Sequence, residues 1–210
     1  MNSLDEDILV VGLTGQTGAG KTSVCKIFSD KNFSVINADH ISRLVVEKGR
    51  PCLDEISKYF GNDILNADGT LDRSKLGQIV FTDKDKLELL NSIIYPYITA
   101  EILKLIKEFS SEGRQLILLD APTLFESHSD DFCEVIVSVI ADENIRLKRI
   151  MKRDNISAEA AQNRINSQLN EEFFLKNSDY IIENNGSMNK LYESAETVAD
   201  KIKKYIIIQK

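Results

Sequence analysis

Short, β-branched apolar runs alternate along this chain with longer stretches of helical period. Residues 8–13 form the first run, closed by glycine, and predict a strand buried on both faces. A loop follows, and residues 22–30 have helical character. Further strands are predicted at 33–36, leading into Asn37-Ala38-Asp39; at 115–119, ending at Asp120; at 134–140, ending at Ala141-Asp142; and at 180–183, ending at Asn184-Asn185-Gly186. Nearly continuous apolar strands separated by helices predict an α/β fold, a five-stranded parallel sheet flanked by helices. Ligands bind such sheets beyond the carboxyl ends of the strands, where each of these runs turns polar.

Two stretches exceed this alternation. Between Asp39 and Gln115 lie 75 residues with helix signals and no strand, far more than a crossover requires. We read residues 40–114 as a helical substrate-binding insertion. Within it Asp72 and Thr82 are expected helix caps, the latter with Asp85 as an approximate capping box. Pro96 is expected to start a helix whose core face carries Ile98, Ile102, Leu105, Ile106 and Phe109. Residues 143–169 form the second excess, two basic helices broken at Asp154-Asn155 with Ser157 capping the second, and read as a lid. Residues 1–39, 115–142 and 170–210 remain as the nucleotide-binding core. Its last helix, from about Met188, aligns Leu191, Ala195, Val198, Ile202 and Tyr205 on one stripe.

Composition narrows the class. With 42% apolar and 28% charged residues among 210, the chain is globular rather than disordered or fibrous. Thirty-three acidic against 26 basic residues give a net charge of −7, which disfavours nucleic acid and anionic membranes as partners. The acidic start MNSLDEDILVV is unlike a signal peptide, and no apolar run approaches the ~20 residues of a bilayer span. The expectation is a cytoplasmic protein, a monomer or weak homo-oligomer. Three dispersed cysteines and two histidines indicate neither a disulfide framework nor a zinc site.

The chemistry begins at Gly15-Gln16-Thr17-Gly18-Ala19-Gly20-Lys21-Thr22, which fits G-x-x-x-x-G-K-[ST] between a predicted strand and a predicted helix. Glycines let the backbone curl so that successive N–H groups and the positive helix end face phosphate. Lys21 neutralises β- and γ-phosphate charge and the Thr22 hydroxyl can ligate Mg²⁺, so a nucleoside triphosphate is the expected ligand. Asp39 follows a strand and reads equally as a general base for an alcohol acceptor or as the N-cap of the helix beginning near His40. Asp120 ends an apolar run in the manner of a Walker-B aspartate that orients Mg²⁺, or it simply terminates the strand. Ala121-Pro122 follows it in place of the glutamate of motor ATPases. Arg146, Arg149 and Arg153 share a helical face that can converge on phosphate oxygens, with Arg164 and Gln168 further along the hairpin. No Asn-Lys-x-Asp motif for reading guanine is present.

Together these stretches resemble the dephospho-coenzyme A kinases. The resemblance runs through Val11-Gly12-Leu13-Thr14-Gly15, Val35-Ile36-Asn37-Ala38-Asp39, Asp68-Gly69-Thr70-Leu71-Asp72-Arg73, Asp120-Ala121-Pro122-Thr123-Leu124-Phe125-Glu126, residues 146–154 and Asp179-Tyr180-Ile181-Ile182-Glu183-Asn184-Asn185-Gly186. It implies a P-loop kinase fold and transfer of the ATP γ-phosphate to the ribose 3′-hydroxyl of 3′-dephospho-CoA, the last step of coenzyme A biosynthesis. It further implies Asp39 as catalytic base, assisted by Lys21, Arg149 and Arg153. ATP would lie on the phosphate loop and Arg146, with its adenine near Asn184 and Gly186, and Mg²⁺ on Thr22 and Asp120. Four departures stand out: Asn37 in place of a first acid, Tyr95-Pro96 in place of His-Pro, Thr123 in place of leucine, and Glu171-Glu172-Phe173-Phe174-Leu175 where relatives carry basic residues.

Overall fold

Leu9–Gly15, the strand β1, is buried at every position, as a strand flanked by neighbours on both edges and covered on both faces must be. Val10, Val11 and Leu13 are fully inaccessible, and burying each such side chain contributes roughly 2 kcal/mol. Gly12 has no room for a side chain, since a Cβ there would lie 2.8 Å from Leu124 Cδ2 and 2.9 Å from Cys133 Sγ. The other strands are β2 (Ser34–Asn37), β3 (Leu116–Asp120), β4 (Val135–Ile140) and β5 (Tyr180–Glu183), giving a five-stranded sheet of order β2-β3-β1-β4-β5 among the described residues. The pairings of β1 with β3, β1 with β4 and β4 with β5 are parallel, with Leu13 opposite Asp120 and Gly15 opposite Val139. The first strand runs two residues beyond its expected end, because Thr14 and Gly15 pair with Ser138 and Val139.

This computed structural model describes residues 8–208, and side chains as far as residue 204. The acidic start MNSLDED and the Tyr205 side chain lie outside the described residues. The chain divides into two compact units, one of residues up to Ile36 with those from Lys107 onward, the other Asn37–Ile106. In the first unit, helix α1 (Lys21–Asp30) covers the sheet through Val24, Ile27 and Phe28.

The second unit is helical. It contains α2 (Ala38–Leu44), α3 (Pro51–Phe60), α4 (Arg73–Val80) and most of α5 (Lys84–Ser111). Pro51 opens α3 at a position where its missing N–H costs nothing. Asp72 caps α4, accepting from the N–H groups of Ser74 and Lys75 at 3.1 and 3.0 Å. Two expectations are corrected here. The cap of α5 is Asp83, whose Oδ1 accepts from Asp85 and Lys86, while the Thr82 hydroxyl donates back to the Gln78 carbonyl. Pro96 does not start a helix but lies inside α5, where it offers no N–H to the Ser92 carbonyl. Tyr97 donates to Glu55 Oε2 at 2.7 Å and ties α5 to α3. By length and composition α5 is apolar enough to cross a bilayer, with mean hydropathy 1.3 over its best 18 residues, which the sequence reading did not anticipate. Its Leu90, Ile93, Ile102 and Ile106 are buried within the protein, and 22% of that stretch is buried in all.

Back in the first unit, α6 (Glu143–Asp154) and α7 (Ala158–Asn166) form the basic hairpin. They are held by Ile150, Ala161 and Ile165, with Leu147, Met151 and Ile156 packed alongside. The Ser157 hydroxyl accepts from Ala160 N at 3.2 Å and caps α7. Next comes α8 (Glu171–Lys176), capped by Asn170, and then α9 (Met188–Ile208). Leu191, Ala195, Val198 and Ile202 of α9 join the core against the sheet.

Candidate active site

The phosphate loop is shaped by its own backbone and by what grips it. Gln16 N donates to Val139 O at 3.1 Å, its side-chain oxygen accepts from Ala141 N at 3.2 Å, and Ala19 N closes a turn onto Gln16 O at 3.0 Å. Gly20 precedes α1 in the left-handed region, at φ 104°, and a Cβ there would collide with the Asn184 amide. No side chain caps α1. Among the described residues, no protein acceptor meets the N–H groups of Gly18, Gly20, Lys21 and Thr22. Four open donors at the positive end of a ten-residue helix favour an anion.

Lys21 lies beside this helix end and pairs with Asp120 Oδ1, the two side chains 15% and 8% exposed. Asp120 is therefore more than the end of a strand: its carboxylate is held, mostly buried, against the first turn of α1. Cys25, one turn beyond Lys21, lies near enough to Asp120 for its charge to raise the thiol's pKa, a neighbour the sequence reading missed although the i, i+4 spacing from Lys21 contains it.

The arginines share the expected helix but not one target. Buried Arg146 (6% exposed) donates through Nε to Ala141 O at 3.0 Å, and desolvation works against its charge. Arg149 clamps the loop from outside: NH1 reaches Gly18 O and Ala19 O, both at 3.3 Å, and NH2 reaches Asn184 O at 3.1 Å and Asn184 Oδ1 at 3.3 Å. Arg153 forms a bidentate pair with Asp154 at 2.8 and 2.8 Å, which raises the arginine's pKa and lowers the aspartate's; Arg164 joins the same carboxylate. Asn184, 4% exposed, donates to Ala19 O at 2.7 Å. Asn185 and Asp142 exchange two hydrogen bonds, at 2.7 and 2.8 Å, which fixes the Asn184-Asn185-Gly186 turn to the start of α6. A cleft of about 370 Å³ opens beside the loop, lined among others by Gln16, Glu143, Arg146, Gln168, Asn170 and Glu171.

In the second unit, Asp39 lies in the first turn of α2 with its side chain exposed. It is not the cap, since Asn37 Oδ1 accepts from His40 N at 2.8 Å and takes that role. Asn37 makes a good cap and leaves the Asp39 carboxylate out of it.

A family model described as dephospho-CoA kinase matches residues 9–190. The chain belongs to the dephospho-CoA kinase family. It is 41% identical to the dephospho-CoA kinase of Fusobacterium nucleatum, over 93% of this chain and 99% of that one. Against the dephospho-CoA kinase of Saccharomyces cerevisiae the identity is 42%, over 93% and 83%. A dephospho-CoA kinase from Campylobacter jejuni superposes with TM-score 0.70 at 29% identity, covering 93% of this chain and 97% of that one. The parallel sheet and phosphate loop are thus those of a P-loop kinase of this family.

Lys21 and Asp120 sit beside a thiol, that of Cys25, whose reactivity is predictable. Burial and then Asp120 push the Cys25 thiol up to about 11. Burial and then Glu55 do the same to Cys52, also to about 11, and Cys133 is raised by burial followed by Glu134 and Asp130. Only the thiolate attacks, so Cys25 is expected to alkylate slowly at neutral pH and to keep gaining rate past pH ~9, where an ordinary thiol with pKa about 8.5 levels off. Peptide-resolved iodoacetamide labelling from pH 7 to 10.5 measures this. A plateau near pH ~9 would show an unperturbed thiol.

Proposed function

We propose that this protein transfers the γ-phosphoryl group of ATP to the ribose 3′-hydroxyl of 3′-dephospho-CoA, giving CoA and ADP. The activity is that of its family, dephospho-CoA kinase, an ATP-dependent phosphotransferase. The observation that carries the reading is the uncapped start of α1 with Lys21 and Asp120 beside it, on a chain matched by the family model over residues 9–190.

In this reading the triphosphate lies on the Gly18, Gly20, Lys21 and Thr22 amides, and Lys21 exchanges part of its contact with Asp120 for phosphate oxygens. The Asn184-Asn185-Gly186 turn borders the adenine, and Arg146 holds the base of the lid. Arg149 keeps the loop in shape, and Arg153 leaves Asp154 for the transferring phosphoryl group as the hairpin closes. Asp39 accepts the proton of the attacking 3′-hydroxyl, and the second unit receives the rest of the acceptor.

A divalent cation suits the oxygen donors. The Thr22 hydroxyl and Asp120 carboxylate are hard ligands, and no cluster of three or more His, Cys, Asp or Glu side chains occurs among the described residues. Such a site takes an ion that keeps its waters and binds through few protein ligands plus phosphate, which is Mg²⁺. When bound, it neutralises charge on the β- and γ-phosphates.

The test is direct. Purified protein with Mg-ATP and dephospho-CoA is expected to yield a product heavier by one phosphate, placed on the ribose by fragment masses, with one ADP formed per CoA. Consumption of ATP with another alcohol but not with dephospho-CoA would overturn the reading.

A further inference from the structure

One grip on the phosphate loop from outside its own segment comes from a residue with no role in the reaction as read so far. Thr17 N donates to Gln168 Oε1 at 2.6 Å, joining positions 151 residues apart. The Thr17 N–H can only donate, so the Gln168 amide must present its oxygen there, and the amide orientation follows from chemistry. The Gln168 NH₂ then faces away from that bond, and no partner meets it among the described residues.

Gln168 is not a loose surface side chain. Its own N–H returns to Ile165 O at 3.3 Å, and Ile165, 7% exposed, is packed with Ile150 and Ala161 in the hairpin core. Two residues later the Asn170 side chain caps α8, accepting from Phe173 N at 2.9 Å. From α8, Phe173 and Phe174 pack against Phe125 at ring-centroid distances of 5.1 and 6.2 Å, and Phe125 lies five residues beyond Asp120. The 167–170 linker is thereby anchored at both ends, and Gln168 lines the cleft beside the loop with Gln16 and Arg146.

We infer that Gln168 is a positioning residue for ATP: its carbonyl fixes the Thr17 peptide, and hence the curl of the phosphate loop, while its NH₂ is offered to a nucleotide oxygen. This rests on the proposed use of ATP by the loop, and it deepens that reading. It couples the end of the basic hairpin to the nucleotide by a neutral group. A carboxylate at 168 would keep the acceptor for Thr17 but bring negative charge toward the triphosphate.

Three variants separate these roles. In Gln168→Leu, kcat/KM for ATP is expected to fall about tenfold, the scale of one well-placed hydrogen bond, with KM for dephospho-CoA unchanged. Gln168→Glu is expected to retain the Thr17 contact yet show a raised KM for ATP, and Gln168→Asn, one methylene shorter, to resemble Gln168→Leu. Hydrogen exchange of the Thr17 amide is read in parallel without substrates: faster in Gln168→Leu, near wild type in Gln168→Glu. That readout does not depend on the acceptor, so it survives a failure of the dephospho-CoA assignment. If Gln168→Leu lowers Tm but leaves the ATP parameters alone, Gln168 serves only the linker; if Thr17 exchange is the same in all variants, the link itself is wrong.

Discussion

Replacing Lys21 with alanine is expected to lower kcat/KM on the order of a thousandfold and to destabilise the apo protein as well. The two losses have one origin. Lys21 supplies the cation at the open end of α1, and it is also the partner of a mostly buried carboxylate, the side chains being 15% and 8% exposed. Removing the cation of such a pair leaves a mostly buried carboxylate with less of its charge compensated, at a cost on the order of 3 kcal/mol, which for a chain of 210 residues lowers Tm by about 6–12 °C. The double variant Lys21→Ala/Asp120→Asn separates the effects: the amide keeps the shape of Asp120 without its charge, so Tm is expected to recover most of the loss while activity stays absent. Calorimetry of the single and double variants, with turnover measured on both, checks this. A stable and active Lys21→Ala would remove the pair from both fold and chemistry, and a double variant no more stable than the single one would show that the poorly compensated charge is not the cause.

The parts legible in the sequence are those governed by local rules. Tyr180–Glu183 is a strand at both of its expected ends, Asp72 and Ser157 cap the helices expected of them, and Leu191 to Ile202 bury the expected stripe. Sequence reasoning went wrong at α5 and stayed undecided at α2, where in each case two local rules competed. At α5 the preference of proline for a first turn favoured a start at Pro96, but Asp83 offers a stronger cap thirteen residues earlier and the helix runs through the proline for the loss of one backbone bond. At α2 both Asn37 and Asp39 are competent caps; Asn37 ends β2 in extended conformation, the conformation a cap needs, and so takes the role.

The arginines mark a different limit. Their three- and four-residue spacing fixed a common helix, yet their partners are an Ala141 carbonyl, two carbonyls of the phosphate loop with Asn184, and Asp154. Backbone carbonyls leave no trace in residue identity. The same holds for Gln168, whose acceptor role for Thr17 depends on a backbone N–H that any residue at position 17 other than proline would offer. Phosphate-loop kinase chemistry was therefore readable from side chains, whereas the scaffold that shapes the loop was not.

Asp39→Asn is expected to bind ATP as the wild type does and to lose transfer by on the order of a thousandfold in kcat, within the range of general-base contributions. The structure makes this substitution unusually clean. The Asp39 side chain is exposed, the cap of α2 belongs to Asn37, and among the described residues no hydrogen bond uses the Asp39 carboxylate, while its main-chain oxygen accepts from the Ser42 hydroxyl at 2.9 Å. Exchanging carboxylate for amide thus leaves α2 intact, and Tm is expected to move by no more than about 0.5 kcal/mol in equivalent stability. The control is Asn37→Ala, which removes the cap and is expected to cost about 1 kcal/mol while leaving a carboxylate at 39 to take the proton. If Asp39 acted through helix stability, Asn37→Ala would be the more damaging change to turnover; if it acts as the base, Asp39→Asn is, with ATP affinity by calorimetry and Tm both unchanged. Undiminished kcat in Asp39→Asn would require the 3′-hydroxyl proton to leave by another route.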